Sequence, residues 1–301
     1  RFSECPPVPL PGRCAMKALE PAKSAWPASW LVPDWPVPCH VRAVCTSREG
    51  GTSTGPWGSL NLGDHVADEP AAVQANRAVL AQALGAKLVF MQQVHGFDVA
   101  ELPGAGDVGE AAIVADACVT TAVGVACTVM VADCLPVLLA NTAGTVVAAA
   151  HAGWRGLAGK AGQGVLESVY QRFSALALDG HAQGAINTVA WMGPCIGPTA
   201  FEVGDEVKAA FVQTDPDADA LFRASAPGKW WASLPGLARR RLQALGVSQI
   251  YGNDGSDVWC TVHNPSRFFS YRRDQIALGG SGRFAASVWI DGGSGRRDIL
   301  A

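Results

Sequence analysis

The most apolar stretch of the chain runs from Thr121 to Ala140, and Asp133 interrupts it. A membrane helix needs roughly 18 apolar residues without such a break, so no membrane span is expected. Within the stretch, Val125–Val131 is a short β-rich run. Others recur at Val41–Cys45, Leu88–Gln92, Thr145–Ala150, Thr188–Met192, Gln249–Tyr251 and Ala286–Ile290, several of them bounded by Gly, Asn or Asp. Helical spacing falls between them, at Pro70–Leu84, Gly164–Leu176, Val203–Phe211 and Leu234–Leu245. This mixture predicts an α/β (α+β) fold, a single layered domain with mixed β-sheets flanked by helices. A content of 49% hydrophobic against 16% charged residues supplies the core such layers need.

No Gly/Ser/Pro linker or charge run divides the sequence after Trp30, so residues 30–290 are expected as one compact domain. Residues 1–29, rich in proline, read as a flexible extension, and 291–301 as a C-terminal tail. The balance of 23 basic against 26 acidic residues, formally −3, offers no field for a phosphate backbone, so nucleic acid is not an expected partner. Nine cysteines, an odd number in a chain too long to need stapling, point to reduced thiols and a cytoplasmic location. A monomer acting on small molecules is the simplest expectation.

Two motif matches fail on context. Gly104-Ala-Gly106-Asp-Val-Gly109 has the letters of a dinucleotide loop, but Pro103 precedes it and no helix is expected after it. Gly51-Thr-Ser53-Thr-Gly55 has the letters of a nucleophile elbow but lies among glycines, in a loop.

Three polar residues stand at the ends of apolar runs, where a sheet tends to present its site. His95 follows the run ending at Val94, Cys134 the run ending at Asp133, and His151 the run ending at Ala150. If those strands are neighbours, the side chains converge into a His/Cys/His set. Such a set suits zinc and leaves a fourth position for water, whose pKa zinc brings to about 7. A second reading makes Cys134 a nucleophile with His151 as its base, and the two compete because a bound thiolate cannot attack carbon. Gly153 to Lys160, with Arg155, could cradle an anion ahead of a helix. Phe268-Phe-Ser-Tyr271-Arg272-Arg273-Asp274 reads either as a pocket wall or as an edge strand with an Arg–Asp pair.

Together these segments resemble the YfiH-like family, also called laccase-domain, multicopper polyphenol oxidoreductase or peptidoglycan-editing-factor proteins. The matching pieces are Gly58-Ser-Leu-Asn61-Leu-Gly63, Gln93-Val-His95-Gly96, Ala132-Asp-Cys134-Leu-Pro136 and His151-Ala-Gly-Trp-Arg155-Gly156. Gly193-Pro-Cys-Ile-Gly197, Phe201-Glu-Val-Gly204 and Phe268 to Asp274 continue the match in order. The resemblance implies zinc on His95, Cys134 and His151. It also implies a purine nucleoside enzyme, a phosphorylase of adenosine, inosine, guanosine and methylthioadenosine that also deaminates adenosine. Cys134, His151 and Asp133 would then be catalytic, with Arg155, Gln93, Asn61 and Arg272 contacting nucleoside and phosphate. The same resemblance leaves open release of a misplaced L-serine from a peptidoglycan precursor.

Copper-dependent polyphenol oxidation is disfavoured by counting. A coupled laccase centre takes several His-x-His pairs, and this chain has six histidines and no such pair. A single copper could still replace zinc at the same three ligands, because Cu²⁺ outcompetes Zn²⁺ at many N/S sites.

Overall fold

A computed structural model describes residues 26–107, 109, 112–179 and 186–292. The expected extension over 1–29 and tail over 291–301 therefore lie mostly outside the described residues. The strands of the first half are β1 (Val41–Cys45), β2 (Lys87–Val89), β3 (Met91–Gln92), β4 (Val99–Glu101), β5 (Ile113–Val114), β6 (Ala117–Thr120), β7 (Val125–Val131) and β8 (Leu135–Asn141). Then come β9 (Val147–Ala152), β10 (Thr188–Met192), β11 (Glu202–Gly204), β12 (Phe222–Ala226), β13 (Lys229–Ala232), β14 (Gln249–Gly252) and β15 (Phe284–Ile290). The helices are α1 (Pro70–Leu84), α2 (Trp154–Ala158), α3 (Val165–Asp179), α4 (Asp205–Val212), α5 (Leu234–Ala244) and α6 (Tyr271–Leu278).

Two mixed sheets carry the fold. One has the order β1-β15-β7-β2, the other β14-β10-β8-β9-β6-β4. In the first, β7 runs antiparallel to β15 and parallel to β2. In the second, β9 is antiparallel to both β8 and β6, while β14 and β4 add parallel edges. Side chains alternate across each strand, so both faces need cover. Cys127 and Val129 of β7, Leu138 of β8, Val147 and Ala149 of β9 and Val288 of β15 meet between the sheets. The outer face of the first sheet, with Ala126, Met130 and Trp289, packs on Leu80 and Leu84 of α1. The outer face of the second, with Val137 and Ala148, packs on Val169 and Phe173 of α3 and Leu242 of α5. The order helix, sheet, sheet, helix explains why β7, β8, β9 and β15 are buried along their whole length and read as unbroken apolar runs. Each fully buried Phe or Leu in these layers contributes about 1.5–3 kcal/mol.

The layered α/β expectation holds. Residues Val41–Cys45, Val125–Val131, Thr188–Met192 and Pro70–Leu84 form the elements expected of them. The Leu88–Gln92 run splits into β2 and β3, which join different sheets. Strand β8 is not among the expected runs, and its Pro136 lacks a backbone donor. It is tolerated at the strand's second residue, where its carbonyl accepts the N–H of Gly193 at 2.9 Å. Phe268 to Asp274 is no edge strand: Ser270 caps α6 by accepting the N–H of Arg273. The expected Arg273–Asp274 pair forms there at 2.6 Å. Gly104 starts a turn closed by the Asp107 N–H, and the next element among the described residues is β5. No described helix is long and apolar enough to cross a membrane.

Candidate metal site

The three candidate ligands do not come from neighbouring strands of one sheet. His95 follows β3 of a small two-stranded sheet, Cys134 lies in the tight β7–β8 connection, and His151 sits within β9 rather than after it. Alternation puts His151 on the same face of β9 as Val147 and Ala149, so it points into the layer between the sheets. The site is thus the end of that layer, closed by loops.

Backbone geometry aims the other two ligands. His95 has φ 60°, the left-handed region that a non-glycine residue adopts only when its surroundings hold it there. The twist turns the N–H groups of Val94, His95 and Gly96 onto the carboxylate of Asp116, at 3.1, 2.9 and 2.7 Å. Asp133, at φ 91°, bends the chain between β7 and β8. Its carboxylate accepts the Thr261 hydroxyl at 2.5 Å and the Arg272 N–H at 2.6 Å, which anchors the turn that carries Cys134.

The donor atoms of His95, Cys134 and His151 all lie within 4.8 Å of one another, the one such three-residue group among the described residues. Sγ of Cys134 is 3.7 Å from Nε2 of His95, and the two imidazoles meet edge to face at 71°. Tetrahedral zinc with two N and one S ligand spans donor separations of about 3.3–3.6 Å, so the 3.7 Å Cys134–His95 pair already fits and the widest separation would close by roughly an ångström. Gly153 makes room for it, since a Cβ there would fall 2.9 Å from both the Cys134 sulfur and Cδ2 of His95. Exposure decreases from exposed His95 through half-buried Cys134 to buried His151, which leaves an open side for a fourth ligand.

Asp116, unseen in the sequence reading, organises this site. It is fully buried, and its Oδ1 lies 2.8 Å from Nδ1 of His151. An ionised carboxylate only accepts, so the ring proton sits on Nδ1 and Nε2 faces the site. Burial pushes the Asp116 carboxyl up, but His151 and the N–H groups of Gly96 and Val94 outweigh it and hold it below the usual range. Burial also pushes the Cys134 thiol up, yet His151 and His95 bring it to about 6. His151 shows the converse: burial pulls its pKa down, and Cys134 and Asp116 carry it to about 9. With no metal bound, Cys134 and His151 each favour the charged form of the other. The available signal for Asp116 was a lone carboxylate set in an apolar run before Ala117–Thr120, the same signal that drew attention to Asp133.

The other expected contacts divide. Arg155 is exposed in the first turn of α2, its guanidinium 4.5 Å over the Trp154 ring. Arg272 reaches the backbone carbonyl of Glu202 at 3.2 Å and approaches the site through its main chain. The amides of Asn61 and Gln93 are taken up by the protein itself. The Asn61 amide is fully buried, accepts the N–H groups of Gly63 and Arg283, and donates to Gly63 and Asp68, so it shapes a loop and has nothing left for a ligand. The Gln93 amide clamps the backbone of Met130 by two 2.8 Å bonds, joining the His95 loop to β7.

Residues 42–291 match the family described as multi-copper polyphenol oxidoreductase laccase. The chain belongs to that family. It is 45% identical to a purine nucleoside phosphorylase of Pseudomonas aeruginosa over 87% of this chain and 98% of the relative. It is also 45% identical to purine nucleoside phosphorylase YfiH of Escherichia coli, over 86% and 98%. Among solved structures, protein NMB0706 of Neisseria meningitidis superposes with a TM-score of 0.75 at 40% identity, covering 88% of this chain and all of that one. YlmD of Geobacillus stearothermophilus gives 0.72 at 30% identity, over 84% and 93%. A laccase-domain name therefore attaches to a protein whose described residues hold one three-ligand group.

Proposed function

We propose that this laccase-domain protein is a zinc-dependent purine nucleoside enzyme that cleaves purine nucleosides with phosphate and deaminates adenosine. The observation that carries the reading is the open His95/Cys134/His151 set, in a chain closely similar to proteins named purine nucleoside phosphorylase. Those three residues would hold the metal, which supplies Lewis acidity and an activated water when bound. In phosphorolysis a phosphate oxygen bonds to the anomeric carbon as the glycosidic bond breaks, and the purine leaves with the bonding electrons and takes up a proton. Arginine near the site offsets phosphate charge while the ribosyl cation develops. In deamination water adds to the amino-bearing carbon of adenine and ammonia leaves. Asp133, whose carboxyl burial pushes up, is the proposed proton-handling group.

The arrangement Asp116–His151–Cys134 favours a second reading, a thiolate nucleophile for amide hydrolysis of a peptidoglycan precursor. One experiment separates them. Purified protein is given adenosine and inosine, with and without phosphate, beside a serine-containing muropeptide precursor. Phosphate-dependent release of hypoxanthine from inosine, lost in His151→Ala protein that still folds, supports the first reading. Untouched nucleosides with free serine would refute it.

A further inference from the structure

We propose that Arg283 binds the anionic co-substrate, inorganic phosphate, at the mouth of the metal site. This rests on the phosphorolytic reading and adds a residue to it. Arg283 opens onto β15 and is half-buried, yet it has no carboxylate partner among the described residues. Arg273 is paired with Asp274 and Arg77 with Asp64, while the Arg272 guanidinium donates to the backbone carbonyl of Glu202. An arginine withdrawn from water without a counter-charge is costly unless something anionic arrives.

The placement is built rather than incidental. Its backbone N–H is held at 2.8 Å by the buried Asn61 amide, and its side-chain stem crosses Gly63, where a Cβ would meet Cγ at 2.8 Å. One guanidinium nitrogen donates to the carbonyls of Ser281 and Gly282, at 2.9 and 3.0 Å, while the group lies 5.8 Å from the Tyr271 ring centre. The opposite edge, Nε and the second terminal nitrogen, has no partner among the described residues, and that edge is the fork that grips two phosphate oxygens. Burial lowers the pKa of Arg283, and the charges that raise it again are Cys134, Asp133 and Tyr271. Tyr271, whose ring the guanidinium approaches, precedes Arg272, whose N–H holds the Asp133 carboxylate at 2.6 Å, so the cation lies beside the turn that carries Cys134. Arg155, exposed and stacked on its own tryptophan, binds an anion in higher dielectric and so more weakly.

The test uses zinc-loaded protein and inorganic phosphate as the probe. Calorimetric titration is run on wild type, Arg283→Lys, Arg283→Met, Gly63→Ala and Arg155→Gln, followed by KM for phosphate and for inosine. Arg283→Met should weaken phosphate binding about tenfold or more, the loss of a charge-assisted bidentate contact, with KM for inosine within about twofold. Arg283→Lys should recover part, because it keeps the charge and loses the fork. Gly63→Ala should weaken phosphate with every charge in place, and it keeps the test alive if Arg283→Met fails to fold. Unchanged phosphate affinity in Arg283→Met or Gly63→Ala, or a tenfold loss confined to Arg155→Gln, would overturn the assignment. Wild type that binds no phosphate overturns it too. Wild type that binds phosphate through Arg283 but leaves nucleosides uncut would sink the phosphorolytic reading and leave the anion site standing.

Discussion

Nδ1 of His151 donates to a buried carboxylate oxygen of Asp116 at 2.8 Å, and that same carboxylate collects the three N–H groups that turn His95 toward the site. One residue outside the ligand set thus orients two of its three members. Such partners of metal-binding histidines typically govern affinity by about 10–100-fold.

Asp116→Asn should therefore cost about 10–100-fold in zinc affinity, measured by chelator competition, with the fold retained. Asp116→Ala, which leaves His151 and several N–H groups without an acceptor, should cost about 2–4 kcal/mol of stability in denaturant unfolding. An Asn variant with unaltered zinc affinity would remove Asp116 from the site.

Gly153→Ala tests the fit around the ligands. The glycine has φ −70°, so alanine is free to adopt its backbone, and the penalty comes from a Cβ 2.9 Å from the Cys134 sulfur and the His95 ring. Overpacking of this kind costs about 1–3 kcal/mol. Zinc content should fall while circular dichroism keeps the wild-type spectrum.

The layered α/β fold was legible because buried strands such as β7 are continuous apolar runs between polar breaks. The candidate ligands were legible because His95, Cys134 and His151 stand beside those breaks, and the structure brings their donor atoms together. The layer order was not, since nothing local states that β7 and β8, three residues apart, enter different sheets through Asp133. Asn61 and Gln93 misled for a related reason. A polar residue within a motif looks the same whether it faces a ligand or a neighbouring backbone, and here Met130, Gly63 and Arg283 claim their amides. Gln93→Ala should therefore lower stability by about 1–3 kcal/mol and leave KM for nucleoside unchanged in protein that remains folded.

Alkylation of metal-free protein should single out Cys134 over the buried Cys45, Cys127 and Cys195. Its pKa is depressed to about 6, so the reactive thiolate is present above that pH and is lost as pH falls through it. Burial pushes Cys45, Cys127 and Cys195 the other way. Iodoacetamide at about pH 7 should label Cys134 while these three stay unmodified, and excess zinc should protect it. Equal labelling with and without zinc would show that the sulfur is not a ligand.

His95→Ala separates the metal and nucleophile readings. His95 is the exposed ligand, linked to Cys134 at 3.7 Å, and it makes no contact with the Asp116 carboxylate through its ring. Its removal leaves Asp116, His151 and Cys134 in place, a complete thiolate, base and orienting carboxylate. A metal site cut from three protein ligands to two should lose most of its zinc, and a metal-dependent reaction should fall by at least about a hundredfold. A cysteine nucleophile should keep activity within about tenfold, since its base and orienter are untouched. Zinc content and turnover measured on the same His95→Ala preparation decide the matter: loss of both supports the metal, and loss of zinc with turnover preserved identifies Cys134 as the attacking group.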